Sequence, residues 1–150
     1  MFENSAIVSV DYKGKGAICI FDNMMSYISR KGTRKDESFG SAQLISYHNS
    51  SKKGAAVVLN RYNDTHNNLL LSVDSVFKKT VETEINKECI SVSMCGSRLN
   101  LLKRNEISTY NKSGKEIKTK EVRNDLVKII SYKHHVIVLA SDQIELVKTK

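Results

Sequence analysis

An internal repeat constrains this chain more than any other feature. Residues 89–111 (CISVSMCGSRLNLLKRNEISTYN) lie over residues 126–148 at an ungapped offset of 37 positions. At that offset Ile90 and Val92 match Val127 and Ile129, and Leu99, Leu101 and Leu102 match Val136, Val138 and Leu139. Asn105 meets Asp142, Ile107 meets Ile144, and Tyr110 meets Val147. Within each copy apolar residues alternate over short runs separated by turn residues, the pattern of short half-buried strands. A few such strands repeating at this period make the unit of a β-propeller, a blade that buries its faces against its neighbours.

The rest of the chain reads as the same unit. Before the repeat, 6–11 (AIVSVD), 17–21 (AICIF) and 24–29 (MMSYIS) form one group, with KGKG at 13–16 as a hairpin turn. A second group comprises 42–48, 55–62, 69–74 and 80–85, and 117–122 (IKTKEV) completes the third as an exposed outer strand. The polar stretch 30–41 (RKGTRKDESFGS) reads as the longest loop. One local pattern marks each third strand: Ile18…Phe21-Asp22, Leu70…Val73-Asp74 and Ile107…Tyr110-Asn111. Its Asp or Asn is expected to cap the turn into the fourth strand by accepting backbone amides just ahead. The interval from Ile18 to Leu70 is 52 positions, against 37 to Ile107; the stretches 30–41 and 63–68 are expected to account for the excess.

The expected fold class is therefore all-β, with antiparallel four-stranded blades making about 3.5 blades of an incomplete propeller ring. The units are 5–30, 41–86, 89–122 and 126–148: two whole blades flanked by two three-stranded ones, in one domain spanning 1–150. That arrangement reads as the C-terminal half of a larger propeller. An open β-sheet array or a sandwich is the alternative. Unpaired strand edges invite pairing, so self-association or completion by a protein partner is expected.

The segments YKGKGAICIFDN at 12–23, AQLISYHN at 42–49 and EISTYNKSGK at 106–115 resemble the C-terminal part of an uncharacterised bacterial family. Its proteins are membrane-anchored and carry a WD-repeat-like or quinoprotein-like β-propeller as an extracytoplasmic domain. The resemblance implies the propeller fold and a surface location for a protein anchored through a segment absent here. It implies no reaction and no catalytic residues.

The chemistry-bearing residues are sparse. No GxGxxG, P-loop, GxSxG, HExxH or EF-hand pattern occurs, so no enzyme, cofactor or metal is expected. No apolar run approaches the roughly 20 residues that span a bilayer, and MFENSAIVSVDYKG lacks the basic and apolar regions of a signal peptide; this segment is expected to make no membrane contact. Cys19, Cys89 and Cys95 lack metal-knuckle spacing and read as small core residues. The net charge is +8, its lysines scattered among turns. A solvated surface is the simplest account, and the absence of Trp and of aromatic platforms argues against nucleic acid. Two functions stand: a noncatalytic binding scaffold, or a binder of polyanions, nucleic acid or wall polymer, through lysine-rich turns. The candidate binding residues are Arg34 and Lys35 in the 30–41 loop, Asp64 and His66 in the 63–68 loop, and His48 and His134 between first and second strands. The two loops are expected on one rim.

Overall fold

The repeated unit folds as a meander in which every strand pairs only with its neighbours in the chain. The structure, a computed structural model, describes residues 4–148; the part of the signal-peptide reading that falls on residues 1–3 lies outside them. The first sheet holds β1 (Ile7–Lys13), β2 (Gly16–Phe21), β3 (Met24–Ser29) and β4 (Arg34–Ser38). The second holds β5 (Gln43–Ser50), β6 (Gly54–Asn60), β7 (Asn68–Val73) and β8 (Lys79–Ile85). The third holds β9 (Cys89–Cys95), β10 (Arg98–Lys103), β11 (Glu106–Tyr110) and β12 (Glu116–Glu121). The last has three strands, β13 (Leu126–Tyr132), β14 (His135–Ala140) and β15 (Ile144–Lys148). The described residues contain no helix, hence none long and apolar enough to cross a membrane.

Alternation within the middle strands lets the two inner sheets bury both faces and the two end sheets one, and the sheets stack as blades. Ile18, Ile20 and Met25 of the first pack on Val57, Leu59 and Leu71 of the second. Ala56, Val58 and Leu70, on the other face of the second, pack on Val92, Leu99 and Leu101 of the third. Leu102 and Ile107 then meet Ile129, Val136 and Val138 of the last. Each fully buried aliphatic side chain stabilises the stack by about 1.5–3 kcal/mol. Of the three cysteines, Cys19 and Cys89 are buried and Cys95 half-buried, all as free thiols.

The blades approach one another most closely at their first strands, and polar bonds set the register there. The Val92 amide donates to Ser46 Oγ (3.1 Å), and the Ile129 and Ser131 amides donate to Ser91 Oγ and Ser93 Oγ (3.2 and 2.8 Å). Between the first two blades the Ser51 amide donates to Asp11 Oδ2 (2.5 Å) and Asn49 Nδ2 to Ser9 Oγ (3.1 Å). Each first strand also carries a one-residue bulge at the same place, at Val8, Ile45, Ile90 and Val127. The repeat therefore extends to backbone irregularities that no side-chain pattern encodes.

Two expectations are corrected. Residues 34–38 form β4, not part of a loop, so the first blade is whole and, among the described residues, only the last blade lacks a fourth strand. An outer strand that buries little need not show an apolar pattern, and RKDES is held by its ladder to β3. This moves the strand register of the first blade. Asp22 ends the second strand, where its Oδ1 accepts the Ala6 amide (3.0 Å), rather than capping a turn into the fourth. Asp74 and Asn111 do cap those turns: Asp74 Oδ1 accepts the amides of Val76 and Lys78, and Asn111 Oδ1 those of Ser113 and Lys115. Ser29 is their counterpart, its Oγ accepting the Thr33 amide (3.0 Å). The insertion that lengthens the first interval lies mainly in the link at 61–67 of the second blade.

Candidate functional site

In a meander, links after odd-numbered strands leave at one rim and links after even-numbered strands at the other. Arg34 and Lys35 begin β4 beside the first rim, His48 lies in β5 near it, and His134 sits in the β13–β14 turn on it. Asp64 and His66 belong to the β6–β7 link on the second rim. The candidate residues of the two long polar segments thus lie on opposite rims, although the end of the first segment, 39–41, belongs to the same rim as 63–68. His48 and His134 do share a rim, but the third blade stands between theirs, and His48 is a half-buried strand residue rather than a loop one.

The local environments explain most of these residues without a ligand. Arg34 Nε donates to Asp36 (2.7 Å) and, with Ser26 Oγ (2.6 Å), holds that carboxyl below its ordinary range. Lys35 Nζ reaches the Val76 carbonyl of the second blade (3.5 Å). Asp64 Oδ1 accepts the His66 amide (3.0 Å) and its carbonyl accepts Asn60 Nδ2 (2.7 Å), so Asp64 builds its own loop. Burial, aided by the nearby Lys53 charge, lowers the His48 pKa and keeps the ring neutral near pH 7.

The residue reading missed a charged cleft between the edge of the second blade and the third. Lys103, only 5% exposed, continues the inward row of Leu99 and Leu101 where the repeat carries Ala140. That break in the apolar row was the available signal. Its Nζ lies 3.1 Å from both Glu106 Oε1 and Glu116 Oε2. Lys87 Nζ reaches Glu106 (2.8 Å), while Tyr110 OH and Thr119 Oγ1 donate to Glu116 (2.9 and 2.8 Å). Desolvation pushes the Glu116 pKa up, but hydrogen bonds from Thr119, Lys103, Tyr110 and Ser108 outweigh it and hold it at about 2. Burial and then Glu116 raise the Tyr110 phenol, and burial pushes the Cys89 thiol up to about 12. The Lys103 amine is committed to two carboxylates, and the raised pKa of Cys89 disfavours the thiolate that would react. The cleft is a saturated ion network.

Two kinds of open surface remain. On the first rim a groove of about 330 Å³ separates the second and third blades, floored by Val73, Val81, Met94 and Leu99 with Lys53 and Lys112 at its lip. The ends of the stack are the other. Ile130, Ile137 and Leu146 pair across the last blade, as do Lys128, Leu139 and Ile144, on the face turned away from the third. On the outer face of the first blade Val10 pairs with Cys19, Tyr12 with Ala17, and Ala17 in turn with Ile28. Ile144, Leu146, Tyr12 and Val10 are all more than half exposed. Among the described residues no three His, Cys, Asp or Glu side chains group as a metal site.

Stacked four-stranded meanders with adjacent first strands define an arc of a β-propeller, and the solved structures that the chain matches are of that class. The computationally designed Ika4 protein is 9% identical, with a TM-score of 0.69 over 99% of this chain and 94% of that one. Hsv2 of Kluyveromyces lactis is 8% identical, TM-score 0.68, over 98% of this chain and 49% of that one. The Pan2 WD40 domain of Neurospora crassa is 10% identical, TM-score 0.65, over 95% and 48%. This chain thus spans about half the length of those natural propellers. It belongs to the family of unknown function DUF5711, whose profile matches residues 1–149. No curated protein matches the sequence.

Proposed function

We propose that the chain is a noncatalytic interaction scaffold whose end blades pair face to face with a second copy of itself. The observation that carries the reading is the outward face of the last blade. Its Ile137, Leu139, Ile144 and Leu146 occupy, at the 37-residue offset, the positions of Asn100, Leu102, Ile107 and Thr109, which the third blade buries against its neighbour. An end face more apolar than a buried joint is built to be covered. The first blade offers a second apolar face, so two copies can pair last blade on first in one two-fold ring. That joint differs from the internal ones. The position of Ser46 and Ser91, which accept a neighbour's amide, is Lys128 in the last blade, so the joint lacks the hydroxyl seam.

Light scattering across a concentration series tests this. The expected mass is twice the 16.9 kDa of one chain, returning to a folded monomer in the double variant Ile137→Lys, Leu146→Glu. A wild-type chain that stays monomeric up to high micromolar concentration overturns the pairing.

A further inference from the structure

The lysines that look scattered in sequence are sorted by the fold. On the first rim the turns at 14–15, 30–33, 51–53, 74–78, 96–97, 111–115 and 133–134 hold nine cations and one carboxylate, Asp74. On the second rim the links at 22–23, 39–42, 61–67, 86–88, 104–105, 122–125 and 141–143 hold four cations and five carboxylates. The first rim thus carries a charge excess equal to the whole chain's +8.

Pairing sharpens the contrast. All four second-rim cations are in ion pairs: Arg61 with Glu84, Lys87 with Glu106, Arg104 with Glu88, and Arg123 with Asp125, Asp142 and Glu145. Among the described residues none of the nine first-rim cations is in an ion pair. Glu37 and Glu82 pair with Lys79, the strand residue that follows Lys78, rather than with a cation of a first-rim turn. Even Asp74 is committed, its carboxylate capping its own turn.

We propose that the first rim is a docking site for linear phosphate-bearing polyanions, centred on the groove between the second and third blades. Lys53 and Lys112 stand on either lip of that groove. Lys52 continues the row from the same turn as Lys53, and Lys115 from the same turn as Lys112. Cations held apart from carboxylates on one face create a positive field that concentrates anions. A chain of phosphates meets several of them at once and releases its counterions on doing so. The rim's cations are nearly all lysines, point charges without the planar fork that reads a base edge. The residues facing the groove are aliphatic, hydroxyl-bearing or charged, with no aromatic ring for a base to stack on. The site therefore reads charge along a chain, not sequence. This inference does not depend on pairing of the end faces, which lie on other surfaces.

The test is binding of long-chain inorganic polyphosphate by fluorescence anisotropy at low salt. Single-stranded oligothymidylate and mixed-sequence DNA form the phosphodiester arm, and vesicles of anionic phospholipid are a separate arm. Binding should weaken about 50-fold between 50 and 200 mM salt if some four phosphates are engaged. The triple variant Lys53→Gln, Lys112→Gln, Lys115→Gln should lose at least about tenfold, while Arg61→Gln, Arg104→Gln on the second rim should change affinity by less than about twofold. Circular dichroism melts identify any variant that fails to fold. Equal binding of both DNA probes supports readout of charge alone. Absence of polyphosphate binding at 50 mM salt, equal losses from the two sets of substitutions, sequence-dependent DNA binding, or binding to vesicles alone each overturns the proposal.

Discussion

Replacing Lys103 by Met tests how the third blade is held together. The Lys103 side chain is 6% exposed and its ammonium touches two carboxylates at 3.1 Å. Breaking a fully buried pair by removing one member costs about 3–5 kcal/mol. Here Glu106 keeps Lys87, and the Glu116 side chain is 42% exposed and keeps Tyr110 and Thr119. The expected loss is accordingly about 2 kcal/mol at pH 7. The pH dependence carries the sign. Glu116 is lowered from 4.5 to about 2 in the folded chain, so its contribution is full above pH 4.5 and lost as the pH falls toward 2. Lys103 supplies part of that lowering, and its loss should flatten the acid limb. Urea unfolding followed by circular dichroism at pH 7 and pH 3 should show the gap between wild type and variant shrinking at the lower pH. A gap below about 0.5 kcal/mol at pH 7, or one of equal size at both, would refute the reasoning.

Gly54 has φ of +116°, and a Cβ there would overlap the Val73 carbonyl oxygen of the paired strand. Gly54→Ala should destabilise by about 2–4 kcal/mol in a thermal or urea melt, whereas Gly96→Ala, where a Cβ meets nothing within 4 Å, should cost only the φ penalty of about 1 kcal/mol. The seam between the last two blades should respond to Ser91→Ala and Ser93→Ala with about 1–2 kcal/mol each, since each leaves a backbone amide unpaired. Amide exchange should then quicken at Ile129 and Ser131 before it quickens in the second blade.

The residues that carried the sequence reading furthest were those with one job. The inward rows of the last two blades, and Asp74 and Asn111 at the third-strand turns of the second and third blades, are where the 37-residue offset put them. The first blade was misread by one strand because its second strand ends in the same local pattern, Phe21-Asp22, that ends a third strand elsewhere. Nothing in that pattern distinguishes a carboxylate closing a hairpin from one capping a turn. The strand β4 was illegible for a related reason: an outermost strand faces solvent, and charged residues satisfy it. Measured from Ser29 rather than Asp22, the interval to Asp74 is 45 positions, and the missing strand falls into place ahead of Lys79. The sorting of lysines onto one rim could not be read until strand direction was correct in every blade. Lys103 was hidden by its type, since nothing short of its neighbours at Glu106 and Glu116 accounts for an ammonium in an apolar row.

Because every sheet closes with residues from one continuous stretch of chain, the spatial order of the blades is also the order in which they leave a ribosome. The first blade can complete its ladder before the second has been made, and each later blade meets a finished template on which to condense. Such local closure avoids the slow search that long-range strand pairing imposes. The same contiguity makes chain length modular. Gain or loss of one 37-residue segment at a blade boundary would add or remove a blade without rethreading any other.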